Sequence, residues 1–210
     1  AWDAPLLAEC AIGPERLPTI VDAPARGLVG EWAARWPALA RVPWFPGWGD
    51  GGCSNLGSDC AGPEHVALNV GTSAALRVVL PRVAAVPNGL WRYQIDATRS
   101  LVGGATSEGG NVLAWCRDRL TLPGETALED ALAQRTPDSH GLTALPFLAG
   151  ERSPGWRDDA RAAITGLSLA TDAVDVVAAL LEAVALRLSL VYKRRERSDD
   201  EGHDVIDSPG

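Results

Sequence analysis

Methionine is absent from all 210 residues, and phenylalanine and tyrosine occur only twice each. A stretch of this length ordinarily holds a few methionines, and a nascent chain starts with one, yet this sequence opens on Ala1-Trp-Asp. The expectation is a segment of something longer, with room for one ordinary domain or parts of two. Positive charge is also scarce: 19 Lys and Arg stand against 27 Asp and Glu, a formal net charge of -8. That balance argues against a nucleic-acid partner, because phosphate contact needs a concentrated positive surface. No uninterrupted apolar run has the length of a membrane span and no signal peptide is visible, so no membrane partner is expected. Four cysteines (Cys10, Cys53, Cys60, Cys116) are too few for a disulfide scaffold and form no CxxC pair. Reduced thiols in a cytoplasmic protein, with no cysteine metal site, are the simplest reading. A GxxxxGK[ST] phosphate loop is missing too.

What remains fits a soluble globular protein with a real core, at 46% hydrophobic and 22% charged residues. A proline- and acid-rich opening (residues 1–24) leads to a helix expected from Pro24 to Trp36, where Leu28, Trp32 and Trp36 recur every four residues. Five glycines fall within residues 47–57, and then Val66, Leu68 and Val70 alternate like a half-buried strand. Gly71-Thr72-Ser73 makes a polar turn, and Ala75–Leu80 reads as the returning strand, stopped by Pro81. A third strand is expected at Leu90–Ile95. Helices follow at Asn111–Leu120, capped by Asn111 or Ser107, and near residues 126–135. Residues 137–163 read as loop. The clearest helix runs from Asp172 to Arg195, with Val176, Leu180, Val184, Leu188 and Val191 as its apolar stripe, helped by Val177, Leu181 and Ala185. Acids at its start and Lys193-Arg-Arg at its end suit the helix dipole. The polar tail from Glu196 is expected to fray.

Asp50 is the first candidate for chemistry. Gly49, Gly51 and Gly52 flank it, so the backbone can turn sharply and other groups can approach closely. An aspartate there can take the proton of a hydroxyl as that oxygen attacks phosphorus. It can equally order a surface loop as an Asx-turn. Gly71, Thr72 and Ser73 put hydroxyls and successive N–H groups at a hairpin tip, which can surround a phosphate or simply turn the chain. Gly109-Gly110 can bring a nucleotide close to backbone or merely start a helix. His65, His140 and His203 are far apart and read as structural or surface histidines. The eight tryptophans can stack on a sugar or pack a domain junction. Glu151 and Arg152 can pair within their loop or fold over a substrate.

Taken together, these residues resemble the FGGY family of carbohydrate kinases, and within it the gluconate kinase-like branch. The resemblance rests on Pro46-Gly-Trp-Gly-Asp-Gly-Gly-Cys-Ser-Asn, Leu68-Asn-Val-Gly-Thr-Ser, Ser107-Glu-Gly-Gly-Asn-Val and Leu145–Leu167, in that order. Residues 162–182 also follow most of the family's second signature, with Leu180 departing from it. The resemblance implies an α/β fold of the ribonuclease H-like class (actin, hexokinase and Hsp70 superfamily), partial here, with a mixed sheet and packed helices. Residues 1–64 would be the end of the sugar-binding domain and the junction, and 65–210 part of the nucleotide-binding domain. It further implies ATP and Mg2+ as cofactors and a sugar or sugar acid as small-molecule partner, with homodimeric assembly open. Asp50 resembles the catalytic base, Gly71, Thr72 and Ser73 the second phosphate loop, and Gly110 a nucleotide-contacting glycine. The family's first phosphate loop, with its magnesium-holding carboxylate, has no counterpart here. His203-Asp-Val-Ile-Asp-Ser-Pro-Gly resembles the approach to the adenosine loop only weakly. The segment alone is expected to be inactive. A non-catalytic binding or assembly module, and a kinase for xylulose, glycerol or rhamnulose, are the competing readings.

Overall fold

The computed structural model describes residues 2–81 and 86–200, with side chains described to residue 195. Residues 203–210, with the adenosine-loop resemblance and His203, lie outside the described residues. The chain divides into two units, Ala1–Asp50 and Gly51–Gly210.

In the first unit, helix α1 (Ala4–Glu9) is capped by Asp3, whose Oδ1 accepts from the Leu6 N–H at 2.8 Å. Strands β1 (Ala25–Arg26) and β2 (Pro43–Trp44) pair antiparallel. The helix expected over Pro24–Trp36 is cut down to α2 (Glu31–Arg35). Gly27 and Gly30 explain the difference: both have positive φ, 77° and 56°, which leaves the helical region before the first turn can form. Trp32 and Trp36 therefore line no buried face, being 52% and 53% exposed. The Arg35 guanidinium lies 6.0 and 5.9 Å from their ring centroids instead. None of the described residues of this unit is buried.

The second unit is built on a four-stranded antiparallel sheet in the order β3 (Val66–Val70), β4 (Ala74–Pro81), β6 (Arg99–Thr106), β5 (Trp91–Gln94). The hairpin expected around residues 71–73 forms, with Val66 opposite Val78 and Val70 opposite Ala74. Its expected apolar face is covered only at Val66. Leu68 and Val70 are 55% and 58% exposed, whereas Ala67 is buried. The cause is that α6 (Ala173–Asp200) packs on β4 and β6, and only Val66 of β3 joins the cluster of Leu76, Leu90 and Val191 beneath it.

Strand β6 was not expected, because Gly103 and Gly104 interrupt its apolar pattern. These glycines mark close packing inside the sheet. A Cβ at Gly104 would meet Val191 Cγ1 at 2.7 Å and Ser153 Cβ at 2.9 Å, and one at Gly103 would strike the Leu76 backbone. After β6 come α4 (Gly110–Arg119) and α5 (Glu125–Ala133), close to the expected helices. The expected loop of residues 137–163 contains β7 (Thr143–Leu145), which pairs antiparallel with β8 (Ala163–Thr165). A single parallel bridge, Leu148 to Gly150, accompanies these ladders.

Helix α6 buries Val177, Leu180, Val184 and Leu188 against Val112 and Cys116 of α4 and Ala74 of β4, and Val191 against Leu76 and Leu90; Val176 of the expected stripe is partly buried. Each such side chain contributes about 1.5–3 kcal/mol relative to exposure. Ala185 belongs to the outer face rather than to the stripe, and the helix runs on to Asp200, past the expected fraying at Glu196. All four cysteines are free thiols, Cys116 buried.

Candidate functional site

The hairpin between β3 and β4 and the start of α4 form one unit of backbone. Gly71, Thr72 and Ser73 are exposed at the tip. The Gly110 N–H donates to the Gly71 carbonyl at 2.6 Å, and the Asn111 N–H to the Thr72 carbonyl at 3.2 Å. Two of the four N–H groups that a helix start leaves without intrahelical partners are thus satisfied by the tip. Only glycine allows this approach: a Cβ at Gly109 would lie 2.8 Å from the Gly71 carbonyl oxygen, and one at Gly110 would lie 2.9 Å from it.

The expected cap from Asn111 or Ser107 takes another form. No side chain caps α4 at its Gly109 cap position. Asn111 instead reaches backwards, its Oδ1 accepting from the Gly109 N–H at 2.8 Å and its Nδ2 donating to the Ser107 carbonyl at 3.0 Å. That clamp fixes the two-glycine step. Thr72, Ser73 and Gly110 therefore come together on one exposed surface that presents two hydroxyls beside the start of a helix.

Asp50 does not sit in the sharp glycine turn expected of it; it is the first residue of helix α3 (Asp50–Gly57). A carboxylate at that end of a helix suits the macrodipole. Further along the helix, Asn55 is fully buried and its Nδ2 donates to the carbonyls of Cys60 and Arg77, each at 3.4 Å. Arg77 on β4 donates from Nη1 to Asn69 Oδ1 at 3.0 Å, and its side chain lies 3.3 Å from where a Gly51 Cβ would be. The body of α3 is thereby fastened to the strand that follows the tip. Asn55 and Arg77 were not singled out from sequence, where an asparagine after Cys-Ser reads as one more loop residue.

Glu151 pairs with Arg187 of α6, not with Arg152. Both side chains are nearly buried, 11% and 15% exposed. Arg187 also donates to the Ser153 carbonyl at 3.4 Å and lies 5.0 Å from the Phe147 ring centroid. Close by, Glu108 is 1% exposed and its Oε1 has no hydrogen-bond partner among the described residues. Burial, and then the neighbouring Glu151 charge, push the Glu108 carboxyl above the usual range, opposed by its own backbone N–H and by Arg187.

His140 is structural, as expected: Nδ1 accepts from the Leu142 N–H at 2.9 Å, and Nε2 faces Glu182 Oε2 at 3.2 Å. Among the described residues no group of three or more His, Cys, Asp or Glu side chains is placed to hold a metal, and no helix is long and apolar enough to cross a membrane.

Residues 66–208 match the model of the C-terminal domain of the FGGY family of carbohydrate kinases. A gluconokinase of Bacillus licheniformis is 30% identical over 206 residues, covering 91% of this chain and 40% of the relative. A glycerol kinase of Aromatoleum aromaticum is 33% identical over 195 residues, covering 89% of this chain and 38% of the relative. Among solved structures, a ligand-bound xylulose kinase from Lactobacillus acidophilus superposes with a TM-score of 0.79 at 28% identity, covering 92% of this chain and 40% of that one. The chain thus spans about two-fifths of the length of the proteins it matches, 38–40% in these three. Its fold is α/β and ribonuclease H-like, with sheets and packed helices as in the actin, hexokinase and Hsp70 superfamily. With that fold, and with a family match that covers most of its length, the chain belongs to the FGGY family of carbohydrate kinases.

Proposed function

We propose that the intact protein transfers the γ-phosphoryl group of ATP to a hydroxyl of a sugar or sugar acid, with gluconate the first candidate. The observation that carries this reading is the exposed Gly71–Ser73 tip sealed by backbone hydrogen bonds onto the start of α4 at Gly110. Thr72 and Ser73 would hold phosphate oxygens, and Gly110 would let the nucleotide approach the helix start. Asp50 would accept the hydroxyl proton as the new phosphorus–oxygen bond forms and the bond to ADP breaks. A weak base suffices there, since the proton becomes acidic only during attack. Mg2+, when bound, would supply the positive charge that neutralises the phosphates. No described residue of this chain is assigned to it, because no cluster of metal-ligating side chains exists among them.

On this reading residues 1–64 belong to the end of the sugar-binding domain and the junction, and 65–210 to the nucleotide-binding domain, of a cytoplasmic enzyme. The 210-residue chain alone would transfer no phosphate. Gluconate is favoured by the gluconokinase relative, while the glycerol kinase and xylulose kinase likenesses keep those polyols in contention. The test is to assay the intact protein with ATP against gluconate, xylulose and glycerol, with Asp50→Asn beside it. Turnover of one substrate, cut at least about 100-fold in the variant with ATP binding kept, is the expected result. Turnover unaffected by the variant would remove Asp50 from its role. ATP binding without turnover of any polyol would favour the non-catalytic binding or assembly module.

A further inference from the structure

Thr106, the last residue of β6, donates from its hydroxyl to the Glu108 carbonyl at 2.6 Å and to the Ala74 carbonyl at 3.4 Å. The backbone of Glu108 is therefore pinned beside the first residue of β4, directly after the tip. The next two residues are Gly109 and Gly110, which hold the tip itself. The side chain of Glu108 turns inward and is 1% exposed.

The interior it enters is polar and unbalanced. From α6 comes Arg187, and from the loop before β8 come Glu151 and Ser153. Arg187 is already paired with Glu151. The Arg187 charge, paired with Glu151, also acts on Glu108. Unpartnered buried atoms, Glu108 Oε1, Ser153 Oγ and Arg187 Nε, remain in this region. An ionised surplus carboxylate in such a place is costly, and its own backbone N–H and Arg187 are what oppose that cost.

We propose that Glu108 is a positioning residue of the phosphate-binding tip: its buried side chain fixes the start of α4 and so holds Gly109 and Gly110 against Gly71–Ser73. It touches no substrate and acts through the two glycines. This inference rests on the reading of the tip as a phosphate site. The charged groups acting on Glu108 are Glu151 and Arg187. Burial first, and Glu151 next, favour the form that carries a proton, against the Glu108 backbone N–H and Arg187. Raising the pH ionises it and loosens the contact between tip and helix.

Amide hydrogen exchange on the chain without nucleotide tests this, read at Gly110 and Asn111, whose N–H groups donate to the tip carbonyls. In the unsubstituted chain, protection at these two amides should fall as the pH is raised, after correction for intrinsic exchange. In Glu108→Gln, a neutral isostere, it should stay flat. In Glu108→Ala it should drop about tenfold or more at pH 6, while the α6 amides of residues 180–184 keep theirs. Unchanged protection in Glu108→Ala, or a parallel loss through α6, overturns the positioning role. If Glu108→Ala does not fold, the pH profiles of the other two chains decide alone, and identical profiles overturn it. ATP added to the unsubstituted chain is a separate arm. Failure of ATP to alter exchange at residues 71–73 and 110 counts against the phosphate reading and leaves the nucleotide-free result on Glu108 standing by itself.

Discussion

Gly109 is packed against Ser73 so closely that a Cβ on the glycine would lie 2.7 Å from the Ser73 carbonyl carbon. Both sides of this contact are backbone, so neither can swing away as a side chain would. The tip of one hairpin and the first turn of a helix are thereby held at a spacing that one added carbon destroys.

Gly109→Ala is therefore expected to destabilise the chain by about 1–3 kcal/mol, the usual range for forcing extra volume into a packed site. Its φ of -167° is open to any residue, so the effect is steric rather than conformational. Gly124, which precedes α5 and has nothing within 4 Å of a built Cβ, is the matched control. Thermal unfolding should separate the two alanine variants, and ATP titration should weaken for the first alone. Equal melting curves would mean that the tip yields without cost.

Asn55 offers a second test, at the other attachment of the hairpin. Its side chain is fully buried and ties α3 to the carbonyls of Cys60 and Arg77. Asn55→Ala leaves both buried carbonyls short of a donor and should cost about 1–3 kcal/mol in denaturant unfolding. With α3 beginning at Asp50, the base role proposed for Asp50 predicts that the same variant in the intact protein lowers kcat more than it raises the KM for ATP. A change confined to KM would detach α3 from the chemistry.

The hairpin and α6 were readable because each carries its own period and its own stop. Pro81 ends β4, and the stripe from Val177 to Val191 repeats at helical spacing. The pairing of Asp50 with a glycine-rich run misled, since Gly51 and Gly52 are poor helix formers that tertiary contacts nevertheless hold in α3. Strand β6 was hidden for a related reason. Gly103 and Gly104 are there to admit Leu76, Ser153 and Val191, neighbours remote in sequence. The same limit applies to Glu151. Its true partner, Arg187, is 36 positions away, and local spacing offered only Arg152.

The start of α6 is a reciprocal cap. The Asp175 N–H donates to Asp172 Oδ1 at 2.7 Å, and the Asp172 N–H donates to Asp175 Oδ2 at 2.9 Å. The Asp175 amide first, and Arg135 next, hold the Asp172 carboxyl below its ordinary range. A carboxyl with a lowered folded pKa contributes stability that is present above its unfolded value, near 3.8, and is lost as pH falls through the folded one. Asp172→Asn keeps a capping oxygen but does not titrate, so its acid limb should be shallower than that of the unsubstituted chain. Asp172→Ala loses the cap as well and should cost about 0.5–2 kcal/mol at neutral pH. Parallel acid limbs in unfolding curves from pH 2 to pH 6 would show that Asp172 is not the group responsible.

The last prediction concerns the imbalance around Arg187. Removing one partner of a buried ion pair ordinarily costs about 3–5 kcal/mol, because the other charge is left uncompensated. Here the two sides are not equivalent. Arg187→Met leaves Glu151 without its cation and removes the positive charge that acts on Glu108, whereas Glu151→Gln leaves Arg187 with Glu108 still acting on it. Urea unfolding at neutral pH should therefore show the larger loss for Arg187→Met, and adding Glu108→Gln to that variant should recover part of it. The coupling in such a cycle belongs to the pair only if each single change makes no new contact, which is why the isosteric glutamine is chosen. Equal losses for Arg187→Met and Glu151→Gln, with no recovery in the double variant, would mean that Glu108 does not share the guanidinium and that Glu151 alone compensates it.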